Sequence, residues 1–285
     1  VQSGDWLDCV PEKHQPIQKY VNYNKVNKAT CSVYIQPLGK NWKKTASSTS
    51  KQSSSSSKST NSSSNDSDHD DDADDDDDVD DDGDFILDLT VLHAFVSCYL
   101  GKRNINVKML DPIDVDEKKI RSRVHFNSKQ YRADDILEWM IKKLPTDAYC
   151  LLAITTTDLY PQDDWNFVFG MAELTQRTGV FSFARYQPSG IQAFDKTDSY
   201  TIFLKRCLQV CSHEIIHMFG VQHCLYYNCN MCGSMSLDEA DRQMMQLCPV
   251  DLMKLQQCIG FDVVQRYNDL LAFYKQNNLH ECRKW

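Results

Sequence analysis

The segment that says most about the fold and the function of this chain is His213-Glu-Ile-Ile-His217-Met-Phe-Gly220-Val-Gln-His223. On a helix, His213 and His217 lie one turn apart, so their Cβ atoms project from one face about 5–6 Å apart and both imidazoles can reach one metal ion. Gly220 can take a left-handed conformation, which would end the helix and let the chain turn so that His223 supplies a third nitrogen. Three neutral histidines leave one coordination position open, as a catalytic zinc requires.

Glu214 lies directly beside the first of these histidines. A carboxylate at this position can reach a water molecule in the open coordination position and act as its general base. Ile215 points away from the histidine face at 100° per residue and is expected to pack into the core. The pattern therefore predicts a helix with a metal-binding face and a packing face.

Several cysteines follow the third histidine closely: Cys224, Cys229, Cys232 and Cys248. Thiolates concentrated beside a zinc motif predict a second, structural zinc ion with soft ligands. The spacing is not that of a plain zinc finger, so a group of buried reduced thiols is the alternative interpretation.

The order of apolar patterns predicts strands and helices mixed along the chain. Strands are expected at 31–39, 106–110, 149–155 and 179–184, and helices at 85–100, 133–144, 204–219 and 259–276. A polar loop is expected from 158 to 166. This order predicts an α/β (α+β) domain with a twisted sheet and packed helices, in which the helix 204–219 carries the zinc motif.

A Ser-rich and then Asp-rich segment interrupts this pattern. Residues 46–84 contain fourteen Asp and only two basic residues, Lys51 and Lys58, so their net charge is −12. The whole chain has a net charge of −9, and the residues outside this segment therefore carry +3. Such a segment cannot bury enough apolar surface to become ordered, and we predict a disordered insert at about 44–84. The expected organisation is an N-terminal extension, 1–30, and one zinc metallopeptidase domain, 31–285, interrupted by the insert.

Charge and hydropathy exclude some classes of partner. The remainder of the chain is near neutral, which argues against a strongly basic nucleic-acid binder. No run of eighteen apolar residues is present, so no membrane span is predicted, and no secretory signal is visible in a chain that begins at Val1. Twelve cysteines without such a signal favour a reducing compartment, and the expected location is cytoplasmic or nuclear. Nothing in the pattern indicates an oligomeric state.

The run from His213 through Cys224, Cys229 and Met231 to Cys248 resembles the archaemetzincins, a branch of the metzincin zinc peptidases. Their pattern has three histidines with the Glu, a Cys directly after the third His, another Cys five residues on, a Met two residues later, and a closing Cys-x-x-Cys pair. The resemblance extends upstream and downstream of the motif, to 158–170, 180–186 and Gly260-Phe261.

The resemblance implies a metzincin-like twisted mixed sheet and roles for the matching positions. His213, His217 and His223 would bind the catalytic zinc, and Glu214 would be the base. Met231 would lie in a Met-turn beneath the metal, as an apolar floor rather than a ligand.

The resemblance also implies a second zinc, held by Cys224, Cys229 and Cys248, and so two zinc ions per chain. This sequence departs from the family at Asp251, where the last Cys of the closing pair is expected. A carboxylate can ligate zinc, so three thiolates with Asp251 are one possibility. Cys232 or Cys258 could substitute, or the second site could be weak or absent.

These observations together predict a zinc-dependent peptidase acting on peptide or protein substrates, with no nucleic-acid or membrane partner. The alternating strand Val180–Ala184 is expected to be the sheet edge along which the substrate lies extended. Two alternatives stay open. One is a zinc-binding module without catalysis, and the other is a partner-recruiting protein whose acidic insert is the active surface.

Overall fold

A computed structural model describes residues 2–23, 26, 29–43, 79, 83–188 and 196–283 of the chain. Within this part, the strands are β1 (Ser32–Leu38), β2 (Asn106–Met109), β3 (Ser122–His125), β4 (Ser128–Arg132), β5 (Ala148–Thr155), β6 (Asp158–Tyr160), β7 (Gly170–Glu173) and β8 (Thr178–Ser182). The helices are α1 (Trp6–Cys9), α2 (Ile17–Tyr23), α3 (Leu89–Tyr99), α4 (Ala133–Ile141), α5 (Lys196–Met218), α6 (Leu237–Asp241), α7 (Pro249–Ile259) and α8 (Val263–Gln276), followed by a 3-10 turn, Glu281–Arg283.

The main sheet has five strands in the order β2-β1-β5-β8-β7, and a smaller sheet has the order β3-β4-β6. In the main sheet β7 runs antiparallel to β8, while the other neighbours are parallel. The mixed α/β fold predicted from the sequence is therefore confirmed. The buried strand predicted at 149–155 is the central strand β5, whose eight residues are all buried.

Alternate residues of the central strands enter two separate cores. Val33 and Ile35 of β1 join the larger core with α3, α5, α7 and α8, whereas Tyr34 and Leu38 join the smaller core with α4. This alternation is the period of two that a strand buried on both faces imposes. The sheet thus places α5, the helix that carries the histidine motif, on its larger core.

The strand–helix–strand unit predicted around the insert is present, since β1 and β2 are parallel neighbours joined through α3. The helix begins at Leu89 rather than at residue 85, because the Asp88 carboxylate accepts a hydrogen bond from the N–H of Thr90 (2.6 Å) and caps it. Backbone bonds from Lys43 to Leu87 (3.3 Å) and from Leu89 to Lys43 (3.0 Å) join the two ends of the connection. The predicted disordered segment itself, 44–78 and 80–82, lies outside the described residues.

Two other expectations need correction. The polar loop predicted at 158–166 begins with β6, which pairs in parallel with β4. The final helix, predicted at 259–276, begins only at Val263 as α8, because Gly260 adopts φ +84° and separates it from α7.

The prediction that Val180–Ala184 forms the sheet edge is wrong. Its strand, β8, lies between β5 and β7, and β7 is the outermost strand at that end of the sheet. A Cβ at Gly170 of β7 would lie 2.6 Å from the Cβ of Phe181, so glycine is what permits β7 to pair so closely.

The described N-terminal residues pack onto the rest of the domain. Tyr20 is buried, and its hydroxyl donates to the carbonyl oxygen of Phe219 (3.0 Å), at the end of the motif helix. Helix α2 also contacts α7. Among the described residues, no helix combines the length and the apolar character that crossing a membrane requires.

Candidate metal centres

The last turns of α5 carry the first two histidines of the motif. His213 and His217 lie one helical turn apart, their ring centroids 4.4 Å apart, and their Nε2 atoms approach to 2.9 Å. Ile215 is buried in the larger core, as expected from its opposite direction on the helix. The helix therefore presents both imidazoles toward one point outside the core.

The chain turns at Gly220, which has φ +82°, as expected for a left-handed helix end. This turn brings the ring of His223 to 4.8 Å from that of His217 and 5.4 Å from that of His213, measured between centroids. One ligand atom from each of the three histidines lies within 4.8 Å of the others. The structure thus brings together the three residues that the sequence selects as ligands.

Each of these histidines is oriented through its Nδ1 atom. The Nδ1 of His213 contacts the carbonyl oxygen of Asn230 (2.6 Å), and that of His217 contacts the carbonyl oxygen of Val221 (2.7 Å). The Nδ1 of His223 contacts the Oε1 atom of Glu12 (2.7 Å). Because all three Nδ1 atoms face acceptor oxygens, they carry the protons, and the Nε2 lone pairs remain to bind a metal.

The surroundings keep two of the imidazoles uncharged. Burial lowers the pKa of His213 to about 4, with a further contribution from the neighbouring His223. Burial also lowers the pKa of His217 well below its usual value. Neutral imidazole is the form that ligates a metal, so these residues fit a divalent cation without first losing a proton.

The three histidines and Glu214 line one cleft of about 480 Å³. Burial raises the pKa of Glu214 to about 7, and a bound divalent cation beside it would lower that pKa again. Phe167–Gly170 and Tyr186 also line this cleft, and they belong to the upstream segments of the sequence resemblance. The cleft therefore combines a carboxylate, three imidazole nitrogens and room for a ligand of peptide size.

A second cluster lies directly after the third histidine. It consists of Cys224, Cys229, Cys248 and Asp251, all buried, with one ligand atom from each within 4.8 Å of the others. The Sγ atoms of Cys224 and Cys248 are 3.8 Å apart, and the Oδ2 atom of Asp251 lies 3.3 Å from Cys248 Sγ and 3.7 Å from Cys229 Sγ. Three sulfurs and one carboxylate oxygen could supply the four donors that a closed structural zinc site requires.

Asp251 divides its two oxygen atoms between this cluster and a buried cation. Its Oδ2 faces the sulfurs, while its Oδ1 accepts a hydrogen bond from the Lys254 ammonium (2.9 Å). The side chains of Asp251 and Lys254 are only 2% and 3% exposed. Burial raises the pKa of Asp251, and Lys254 opposes that rise. Three thiolates and a carboxylate would leave two negative charges on a bound dication, and Lys254 would offset one of them.

The other sulfur donors considered from the sequence lie outside this cluster. The thiol of Cys232 donates to the carbonyl oxygen of Tyr227 (2.9 Å), and Cys258 Sγ lies 3.9 Å from the hydroxyl of Tyr149. Met231 is fully buried, and its carbonyl oxygen accepts from the N–H of Cys224 (2.7 Å). That bond ties the predicted Met-turn to the residue that follows the third histidine.

Several residues at the cleft are not predicted from the sequence. Trp6 lines it from the N-terminal segment, and Glu12 reaches it through His223. Arg206 lies on α5 and bonds both carboxylate oxygens of Asp241 (2.9 and 2.6 Å) at the cleft wall. No periodicity or motif marks these residues, because their roles arise from contacts between segments far apart in sequence.

The protein combines a mixed α/β fold with three convergent imidazoles, an adjacent carboxylate and a nearby cluster of cysteine sulfurs. These features are those of a metal-binding protein with its metal site beside an open cleft. The family model described as Peptidase family M54 matches residues 100–257. The chain belongs to that family, which confirms its resemblance to the archaemetzincins.

The chain is similar to human Archaemetzincin-2, with 42% identity over 193 residues that span 59% of this chain and 54% of that protein. It is also similar to human Archaemetzincin-1, with 33% identity over 65% of this chain and 42% of that protein. The chain thus spans about half the length of the relatives it matches. A solved archaemetzincin from Methanopyrus kandleri has 28% identity and a TM-score of 0.47, over 60% of this chain and 86% of that one.

Proposed function

We propose that this chain is a zinc-dependent metallopeptidase that hydrolyses peptide bonds in peptide or protein substrates. The observation that carries the proposal is the convergence of one ligand atom from each of three histidines in a cleft that Glu214 also lines. Membership of peptidase family M54 supports the same conclusion.

His213, His217 and His223 would hold the catalytic ion, because their Nδ1 atoms are engaged elsewhere and one ligand atom from each lies within 4.8 Å of the others. When bound, zinc supplies a Lewis acid that polarises the scissile carbonyl and acidifies a water molecule. Met231, buried behind the turn, would serve as the apolar floor of this site.

Glu214 would move the proton in the reaction. Its carboxylate would take a proton from the attacking water as the new carbon–oxygen bond forms. It would then pass that proton to the nitrogen of the leaving amine, and the peptide carbon–nitrogen bond would break. Its place directly after His213, among the residues that line the cleft, suits this transfer.

The substrate would lie extended beside β7. This strand is one of the two outer strands of the main sheet as described, and Phe167–Gly170, at its start, line the cleft. An extended peptide could add to such an edge through main-chain hydrogen bonds. A structure with a bound peptide tests this placement, and a peptide lying away from β7 would contradict it.

A second, structural zinc would be held by Cys224, Cys229, Cys248 and Asp251. The support is a buried and closed donor set, together with Lys254, which offsets part of its negative charge. The bond between Cys224 and Met231 would transmit the rigidity of this site to the third catalytic ligand. Two zinc ions per chain are therefore expected.

We place the protein in the cytosol or the nucleus. All twelve cysteines lie in the described part of the chain, and there none forms a disulfide. Thiols at this density persist in a reducing compartment. Fractionation of cells that make the protein tests this location.

The experiment that tests the enzyme is elemental analysis of zinc together with hydrolysis of a mixed peptide library, on the protein and on Glu214→Gln. We expect two zinc ions in both, and cleavage by the unmodified protein only. Glu138→Gln, on the exposed side of α4, is the matched control and should cleave normally. Bound zinc without cleavage by the unmodified protein would favour a non-catalytic zinc-binding module.

Deletion of residues 46–78 separates the peptidase from a partner-recruiting protein. The cleft and both clusters of ligands lie elsewhere in the chain, and the contacts between Lys43 and Leu87 remain. Peptide cleavage is therefore expected to survive the deletion. Loss of cleavage with the fold intact would contradict this assignment.

A further inference from the structure

The third histidine of the catalytic centre depends on a residue from the other end of the chain. The Glu12 Oε1 atom lies 2.7 Å from the Nδ1 of His223, and the two residues are 211 positions apart. Their side chains are 23% and 19% exposed, so the contact is partly shielded from water. In contrast, His213 and His217 are oriented by backbone carbonyl oxygens only 17 and 4 positions away.

Trp6 holds the Glu12 carboxylate in this position. Its indole N–H donates to the same Oε1 atom (2.8 Å), and its ring meets the ring of His223 edge-on at 5.2 Å between centroids. The backbone N–H of Trp6 donates to Oε1 of Glu239 (2.9 Å). A Cβ at Gly233 would lie 2.5 Å from the Trp6 ring, so that position accommodates the indole only as glycine.

A second contact fixes the N-terminal segment on the turn before His223. The Gln15 side-chain amide donates to the carbonyl oxygen of Gly220 (2.8 Å), and its oxygen accepts from the N–H of Gln222 (3.3 Å). Residues on both sides of Glu12 are therefore anchored. The carboxylate is consequently presented to the histidine by a supported stretch of chain.

We infer that Glu12 is a positioning residue of the catalytic metal centre, held by Trp6, and that it sets the affinity of His223 for the ion. A carboxylate on Nδ1 fixes the proton there, orients the ring and makes Nε2 a better donor. A backbone carbonyl does this less strongly, since it carries no full charge. This inference rests on the proposed binding of zinc by the three histidines.

The test is zinc affinity, measured by competition with a chelator, for the full chain and for Glu12→Ala, Glu12→Gln and Trp6→Phe. His217→Ala identifies which binding step belongs to the histidine site. Cobalt(II) in place of zinc reports the thiolate cluster separately, through its sulfur-to-metal absorption. Glu138→Ala, an exposed glutamate on α4, is the control.

We expect Glu12→Ala to weaken zinc binding at the histidine site by about 10–100-fold, with the thiolate cluster and Glu138→Ala unchanged. Glu12→Gln keeps an acceptor oxygen without the charge and should fall between Glu12→Ala and the unmodified protein. Trp6→Phe loses the indole N–H that holds Glu12 and should show a smaller loss than Glu12→Ala.

Unchanged affinity in both Glu12 variants would overturn the inference, as would an equal loss at both metal sites, which would indicate general loosening. Absence of zinc from the histidine site of the unmodified protein would overturn it together with the proposed function. Zinc bound there without peptide cleavage would overturn only the peptidase, and the affinity series would still decide the role of Glu12.

Discussion

Replacement of Asp251 by asparagine removes the negative charge from two interactions at once, because one carboxylate oxygen faces the thiolate cluster and the other accepts from Lys254. The ammonium of Lys254, 3% exposed, would then be buried opposite a neutral amide. Breaking a buried pair by removing one partner costs about 3–5 kcal/mol. We therefore expect Asp251→Asn to lose about that much unfolding free energy even without metal.

With metal present the difference should be larger. Zinc that binds only the folded state adds about 2.7 kcal/mol when its free concentration is a hundred times its dissociation constant. Asp251→Asn, having lost a charged ligand, should bind one zinc per chain and gain little of this increment. Urea unfolding with zinc and with chelator, beside elemental analysis, measures both effects.

Two further variants separate the ligand from the ion pair. Asp251→Asn with Lys254→Met removes the unpaired ammonium, so it should recover most of the stability lost in chelator but not the second zinc. Asp251→Cys supplies a thiolate and should keep two zinc ions. Two zinc ions in Asp251→Asn would contradict a ligand role for the carboxylate. A double variant as unstable in chelator as Asp251→Asn would contradict the cost assigned to the unpaired ammonium.

Three other predictions follow from single contacts. Gly101→Ala, at φ +84°, would place its new Cβ against the Cβ of Phe261, whereas Gly39→Ala, at φ +90°, meets no atom within 4 Å. Both variants have the same backbone strain, so Gly101→Ala should lose about 1–3 kcal/mol more unfolding free energy than Gly39→Ala, as measured by urea unfolding. Equal losses would mean that Phe261 moves aside freely. The Asp262 side chain caps α8 by accepting a hydrogen bond from the N–H of Gln265 (2.8 Å). Asp262→Ala should therefore lose about 1 kcal/mol of unfolding free energy, while Asp262→Asn should lose little. Similar losses in both variants would contradict the capping role. Stepwise chelation should remove the metal of the open histidine site first. Peptide cleavage should then be lost while one zinc ion is still bound, and added zinc should restore cleavage. Cleavage by the form with one zinc ion would contradict this order of metal loss.

The parts of the site that could be predicted from the sequence are those that lie within one short segment. His213, Glu214 and His217 share a helix, and Gly220 sets the turn to His223, so their spacing alone indicates one cleft. In the same way Cys224 to Asp251 form a local group, although spacing alone could not choose among Asp251, Cys232 and Cys258. Burial and distance favour Asp251, because its Oδ2 lies beside two of the sulfurs.

The parts that could not be predicted are contacts between distant segments. Glu12 has no motif around it, and its meeting with His223 depends on how the whole domain folds. The alternation of Val180–Ala184 favours a sheet edge at β8, but strand pairing decides which strand lies outside, and the short strand β7 covers it. The start of α3 at Leu89 depended on the cap at Asp88, which apolar spacing does not reveal.

The contact between Glu12 and His223 has a consequence for how the chain is made. Ribosomes add about 5–20 residues per second, so roughly 10–40 s pass between the synthesis of these two residues. During that interval Glu12 and Gln15 lack their partners, since Gly220, Gln222 and His223 have not yet been synthesised. The proposed metal centre is therefore incomplete until His223 has been synthesised.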